Sequence, residues 1–112
     1  MRKDLLKSPF KFNLGAMATQ TSHASVSVIV ENFDDKLTQE YISKENINNM
    51  HKIVLQVENE EEMLETEKIL IEDKIIHRIW REQPENIITS LALKPYYKNT
   101  VSKYFKKFKL FR

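Results

Sequence analysis

The 112-residue chain contains no cysteine. Neither a disulfide framework nor a thiolate metal site is therefore open to it. No apolar run comes near the roughly 20 residues that cross a bilayer. The opening "MRKDLLKSPF" carries basic residues with no apolar stretch behind them, which argues against a secretory signal. The three histidines, His23, His51 and His77, are not close enough in sequence to suggest a metal cluster. Together these absences predict a soluble, cytoplasmic, single-domain protein over residues 1–112, with no membrane partner and enough length for one core.

A further absence is local. From Asn86 to Arg112 there is no acid, against seven Lys or Arg. Residues 58–73 hold eight acids and one lysine. Arg2, Lys3, Lys7 and Lys11 face only Asp4 at the other end. The net charge of +2 thus hides two basic ends around an acidic middle. Concentrated positive charge favours a polyanion partner. The acidic run reads first as the solvated face of a helix.

Hydrophobic spacing supplies the elements. "GAMATQTSHASVSV", residues 15–28, reads as a helix of small side chains running to about Asn32, with Asn13 as its cap. Met17, Thr21, Ala24 and Val28 form the stripe expected against a sheet. Gln20 and His23, three positions apart, share another face, which Ser27 extends. A second helix begins at Asp34 or Asp35 and runs to about Lys44. "MHKIVLQV", residues 50–57, reads as a strand covered on both faces. A helix follows over 59–73, then strands at 74–80 and 86–94 joined by "REQPE". Val101, Tyr104, Phe105 and Phe108 have helical spacing, with Lys103, Lys106 and Lys107 facing out. Helices alternating with apolar strands predict an α/β fold, a small mixed β-sheet with helices packed on both faces. "RKDL" reads as the end of a strand before the first helix, so the sheet is expected to lack its first strand.

Three stretches carry a resemblance: "RKDL" at 2–5, "GAMATQTSHA" at 15–24 and "TSLALKP" at 89–95. They resemble the type II peptidyl-tRNA hydrolase family across essentially the whole chain. "EQPENI" at 82–87, "ALKPY" at 92–96 and "YFKKFKLF" at 104–111 are closest to its peptidyl-tRNA hydrolase domain-containing protein 1 subgroup. The resemblance implies cleavage of the ester between a peptide and the terminal ribose of tRNA, with no cofactor and no metal. This chain departs from the parent pattern. Leu14 and Ala16 stand where lysines are expected, Glu82 replaces an aspartate, and the connection from Glu82 to Thr89 is shorter.

Ester hydrolysis needs an activated water and a place for the developing oxyanion. Glu82 is the first candidate for the proton acceptor and His23 the second. Thr89 and Gln20 are candidate donors to the substrate carbonyl or ribose. Lys3, Lys7 and Lys11, beside a helix N-terminus, and Lys103, Lys106 and Lys107, with Lys109, are candidate phosphate contacts. Trp80 either stacks a terminal base or fills the core. His51 and His77 are expected to be structural or exposed. Three readings stand: an esterase acting on peptidyl-tRNA, a tRNA-binding module with weakened catalysis, and an interaction domain using the acidic helix. A homodimer is as open as a monomer.

Overall fold

In the computed structural model, which describes residues 1–112, the long helix α1 spans Leu14–Glu31. Asn13 starts it as expected, its side-chain oxygen accepting from the Ala16 N–H at 2.8 Å. At the other end the Asn32 amide donates back to the Val28 carbonyl. The buried stripe is Met17, Gln20, Ala24 and Val28. Gln20 thus takes the place that the pattern had assigned to Thr21. It lies under the helix, not on the outward face shared with His23.

Helix α2, Lys36–Tyr41, is capped by Asp35, which accepts from the Thr38 N–H. It stops short of Lys44 because the Asn46 side chain takes the Tyr41 carbonyl. Helix α3, Glu60–Glu72, is capped by Asn59 and carries Glu60, Glu61 and Glu62 in its first turn, where negative charge suits the helix dipole. It buries Met63, Thr66 and Leu70 and turns most of its acids outward.

Strands β1, His77–Glu82, and β2, Ile87–Leu93, form an antiparallel hairpin. Asn86, at φ 57°, helps turn the connection, a conformation Asn tolerates. Three short segments extend the sheet beyond β2. Arg2 N–H donates to the Thr89 carbonyl, and Lys3 N–H and the Met1 carbonyl both bond Val57. Gln56 N–H then reaches the Lys109 carbonyl, and Phe111 N–H the Val54 carbonyl. The rows run β1, β2, residues 1–3, residues 54–57, residues 109–111. The bridge between Arg2 and Val57 is parallel and that between Leu55 and Leu110 antiparallel, so the sheet is mixed. Only the first part of the strand end expected at "RKDL" forms: residues 1–3 pair, whereas Asp4–Leu6 turns into a 3-10 helix.

The two faces are divided between two helices. Ile79, Ile88 and Leu91 pack toward Met63 of α3, with Val57 and Phe108. Arg78 and Trp80 meet Glu31 and His23 of α1. Helices on both faces of a mixed sheet were expected; β1 starts at His77 and runs on to Glu82 where a strand over 74–80 was expected, and two further elements differ. Residues 50–54 are not a covered strand: Ile53 and Val54 are exposed, and only Leu55 and Val57 form bridges. The aromatic run near the C-terminus is not one helix either. α4, Lys98–Val101, passes into a single 3-10 turn, Ser102–Tyr104, and the chain then returns as the outermost row. The helical spacing survives only in part, with Phe108 on the core and the Tyr104 hydroxyl donating to Asp73.

The end of β2 is pinned to α2 by a buried lysine. Lys94 Nζ bonds Asp35 at 3.1 Å and the Pro95 carbonyl at 3.0 Å, and lies 3.9 Å from the Tyr96 ring centre. The Thr38 N–H, with Lys94 in support, holds the Asp35 carboxyl below its ordinary range. A depressed carboxyl stabilises the fold above its unfolded-state pKa, and that contribution fades as pH falls through the folded-state pKa. Urea titrations of the parent and Asp35→Ala should therefore differ most above pH about 4 and converge below it. A stability gap that ignores pH would contradict this role.

Candidate active site

The hairpin ladder skips one residue. Trp80 pairs with Ser90 and Arg81 with Ile88, so Thr89 is the extra residue of a β-bulge. Regular alternation sends successive side chains to opposite faces, and a bulge re-aims one of them. Here it turns two neighbours toward α1. Thr89 Oγ1 donates to Gln20 Oε1 at 2.9 Å, and Ser90 Oγ to the Gln20 backbone carbonyl at 3.0 Å. Ile88 points the other way, into the α3 cluster. The extra residue's own carbonyl is not orphaned, because Arg2 N–H takes it.

The Gln20 side chain continues the line. Its Nε2 donates to Glu82 Oε2 at 2.5 Å. An ionised carboxylate only accepts, so the amide must show it nitrogen, which leaves oxygen for the Thr89 proton. Gln20 is 2% exposed and Thr89 0%. Both were expected to touch substrate. Their burial instead makes them supports of Glu82, whose half-buried carboxylate ends the relay at the surface.

The other oxygen of Glu82 receives the Trp80 Nε1–H at 3.4 Å and the Gln83 N–H at 3.3 Å. The Gln20 amide contributes most to holding the Glu82 carboxyl below the usual carboxylate range, against an opposing effect of burial. The Trp80 and Gln83 donors and the charge of the His23 ring add to it. Glu82 is consequently ionised at neutral pH.

His23 is exposed and makes no hydrogen bond within the protein. Its ring stacks on Trp80, centres 4.6 Å apart and planes 23° from parallel. Trp80, half-buried, neither lies in the core nor stands free. Its link to Glu82 follows from a strand spacing of two, which places both on one face. That spacing is present in the sequence. His77 bridges Glu67 and the Ile75 carbonyl, each at 2.8 Å, and His51 is exposed, so both are structural or solvated. No group of side chains is arranged to hold a metal ion.

The lysines divide. Lys7 and Lys11 flank a loop whose Phe10 packs, with Phe12 and Ile87, around the Leu5 and Met17 cluster. Ile87 is the ladder partner of Glu82, so this loop lies at the Glu82 end of the hairpin. Lys3 sits further across the sheet, its Nζ over the Phe111 ring. Lys103, Lys106 and Lys107 ride on the segment that packs beside α3, with Lys107 over Phe108, while Lys109 lies in the outer row, whose Phe111 reaches the Leu5 and Met17 cluster. The break after α4 carries Lys103, Lys106 and Lys107 to the sheet face opposite α1. These three lysines therefore do not border Gln20 and Glu82, which lie on the α1 side.

The family model for "Peptidyl-tRNA hydrolase PTH2" matches residues 1–111. A Mus musculus protein named "Putative peptidyl-tRNA hydrolase PTRHD1" is 39% identical over all 112 residues, which span 79% of its length. The Homo sapiens protein of the same name is 38% identical with the same coverage.

Thr89→Val keeps the shape of the side chain and removes the hydroxyl. The Gln20 oxygen is then buried without a donor, a loss of about 1–3 kcal/mol. Equilibrium urea unfolding should show that loss for Thr89→Val and little of it for Thr89→Ser. Equal stability of Thr89→Val and the parent would mean that the hydroxyl does not hold the amide.

Proposed function

The chain belongs to the peptidyl-tRNA hydrolase PTH2 family, and from that premise we propose that it hydrolyses the ester between a peptide and the terminal ribose of tRNA. The observation that carries this reading is the Thr89–Gln20–Glu82 relay, which ends in an ionised carboxylate at the surface.

In this mechanism Glu82 accepts a proton from a water as its oxygen attacks the ester carbonyl carbon. The tetrahedral intermediate collapses, the bond to the ribose oxygen breaks, and Glu82 returns the proton to that oxygen. The products are a peptide carboxylate and a free ribose hydroxyl. Gln20 and Thr89 act through Glu82, holding its carboxylate in one orientation. His23, with no hydrogen bond to the relay, is not the base. Lys7 and Lys11, at the same end of the hairpin, meet the phosphates nearest the ester. Lys3 and the distant Lys103, Lys106 and Lys107 meet phosphates further along, each contact adding to the salt dependence of binding.

A second reading has its own support. The donors that keep Glu82 ionised also weaken it as a base, and no lysine or arginine bonds its carboxylate. A domain that binds tRNA and leaves the ester intact is consistent with that.

Release of labelled peptide from peptidyl-tRNA separates the two. The hydrolase reading expects cleavage by the parent and a loss of about 100-fold or more in Glu82→Gln. Because ionised Glu82 is the active form and its pKa is depressed, activity should hold to below the usual carboxylate pKa and fall only as pH passes through its own. Salt-sensitive binding of tRNA that stays acylated at high protein concentration would instead establish the binding module.

A further inference from the structure

We propose that the exposed face of the His23–Trp80 stack seats the terminal base of the tRNA substrate, which deepens the reading given under Proposed function and rests on it. A purine lies on the imidazole while the ester on its own ribose faces Glu82.

The stack has the features of a platform. The His23 ring is exposed although its inner face is covered by Trp80, and neither of its nitrogens is used within the protein. The indole beneath is held at its edge by Glu82 through Nε1. It is flanked by Arg78, whose guanidinium lies 6.0 Å from the ring centre and is itself fixed to Glu31 at 2.8 Å. A side chain on a helix leans over the turn before it. There α1 offers Ala16, Thr19 and the buried Gln20, with no bulky group to block a flat ligand. This gives the small residues around His23 a purpose beyond close packing on the sheet.

Position selects the occupant. The scissile ester and the terminal base are attached to the same ribose. A flat aromatic surface one hydrogen bond from the proposed base catalyst lies within the span of that single nucleoside. A phosphate has no reason to prefer a π face over the lysines, whereas every base has a face of its own to stack. Such stacking is sequence-tolerant and needs only the face of the ring.

The chain has one tryptophan, so Trp80 fluorescence reports the site directly. The probes are an aminoacyl-adenosine joined through an uncleavable 3′-amide and its counterpart lacking the adenine. The parent should bind the adenine-bearing probe about tenfold more tightly, with a change in Trp80 emission. His23→Ala should lose that preference, and His23→Phe, which keeps the face and removes the nitrogens, should retain it. Equal affinity of the parent for both probes overturns the proposal. So does a preference that survives His23→Ala, or one that His23→Phe loses. Cleavage of the matching ester is scored separately. If the ester survives while the adenine preference holds, the hydrolase reading fails and the platform stands.

Discussion

The buried amide of Gln20 is the contact on which the rest of the arrangement depends. One helix side chain meets the bulged strand through its oxygen and the neighbouring strand through its nitrogen. It joins α1 to both arms of the hairpin and at the same time fixes the direction of every proton in the line. A buried polar group without partners is costly, and one with all of them filled orders its surroundings. No buried side-chain nitrogen or oxygen in this protein lacks a partner. Arg2 shows the same economy elsewhere, with two bonds to Asp4 and one to the Ile88 carbonyl beside the bulge.

Much of the scaffold was legible. Asn13, Asp35 and Asn59 each precede a helical pattern, and each caps a helix. The hairpin and the placement of helices on both faces followed from alternating apolar runs. The misplacement of Gln20 has a physical cause. Periodicity assigns polar residues to the outside, and nothing in one helix reveals that a hydroxyl and a carboxylate some 60 or 70 positions away will satisfy the amide. The bulge is equally hidden, because pairing register belongs to two strands and is not read from either alone.

The extended stretch at 50–57 and the aromatic C-terminal run failed for a related reason. "KIVLQV" has strand propensity throughout, but only the last residues find a partner row. Val101 through Phe108 have helical spacing, yet Phe111 is claimed by the Val54 carbonyl, so tertiary pairing overrides local preference. That override separates the two lysine groups. Of the candidate site, Glu82 and Thr89 were found through resemblance, and His23 and Gln20 through their shared helix. The spacing of two between Trp80 and Glu82 was legible in the strand, but the stacking of the indole on His23 was visible only in three dimensions.

The central rows of the sheet are written far apart in the gene. Residues 54–57 are held on one side by residues 1–3 and on the other by residues 109–111. Loop-closure entropy must be met before such distant pairings are rewarded, which slows folding. Until residues 109–111 dock, residues 54–57 present unpaired backbone groups on one side, so a folding intermediate that lacks this row offers an open sheet edge to another chain.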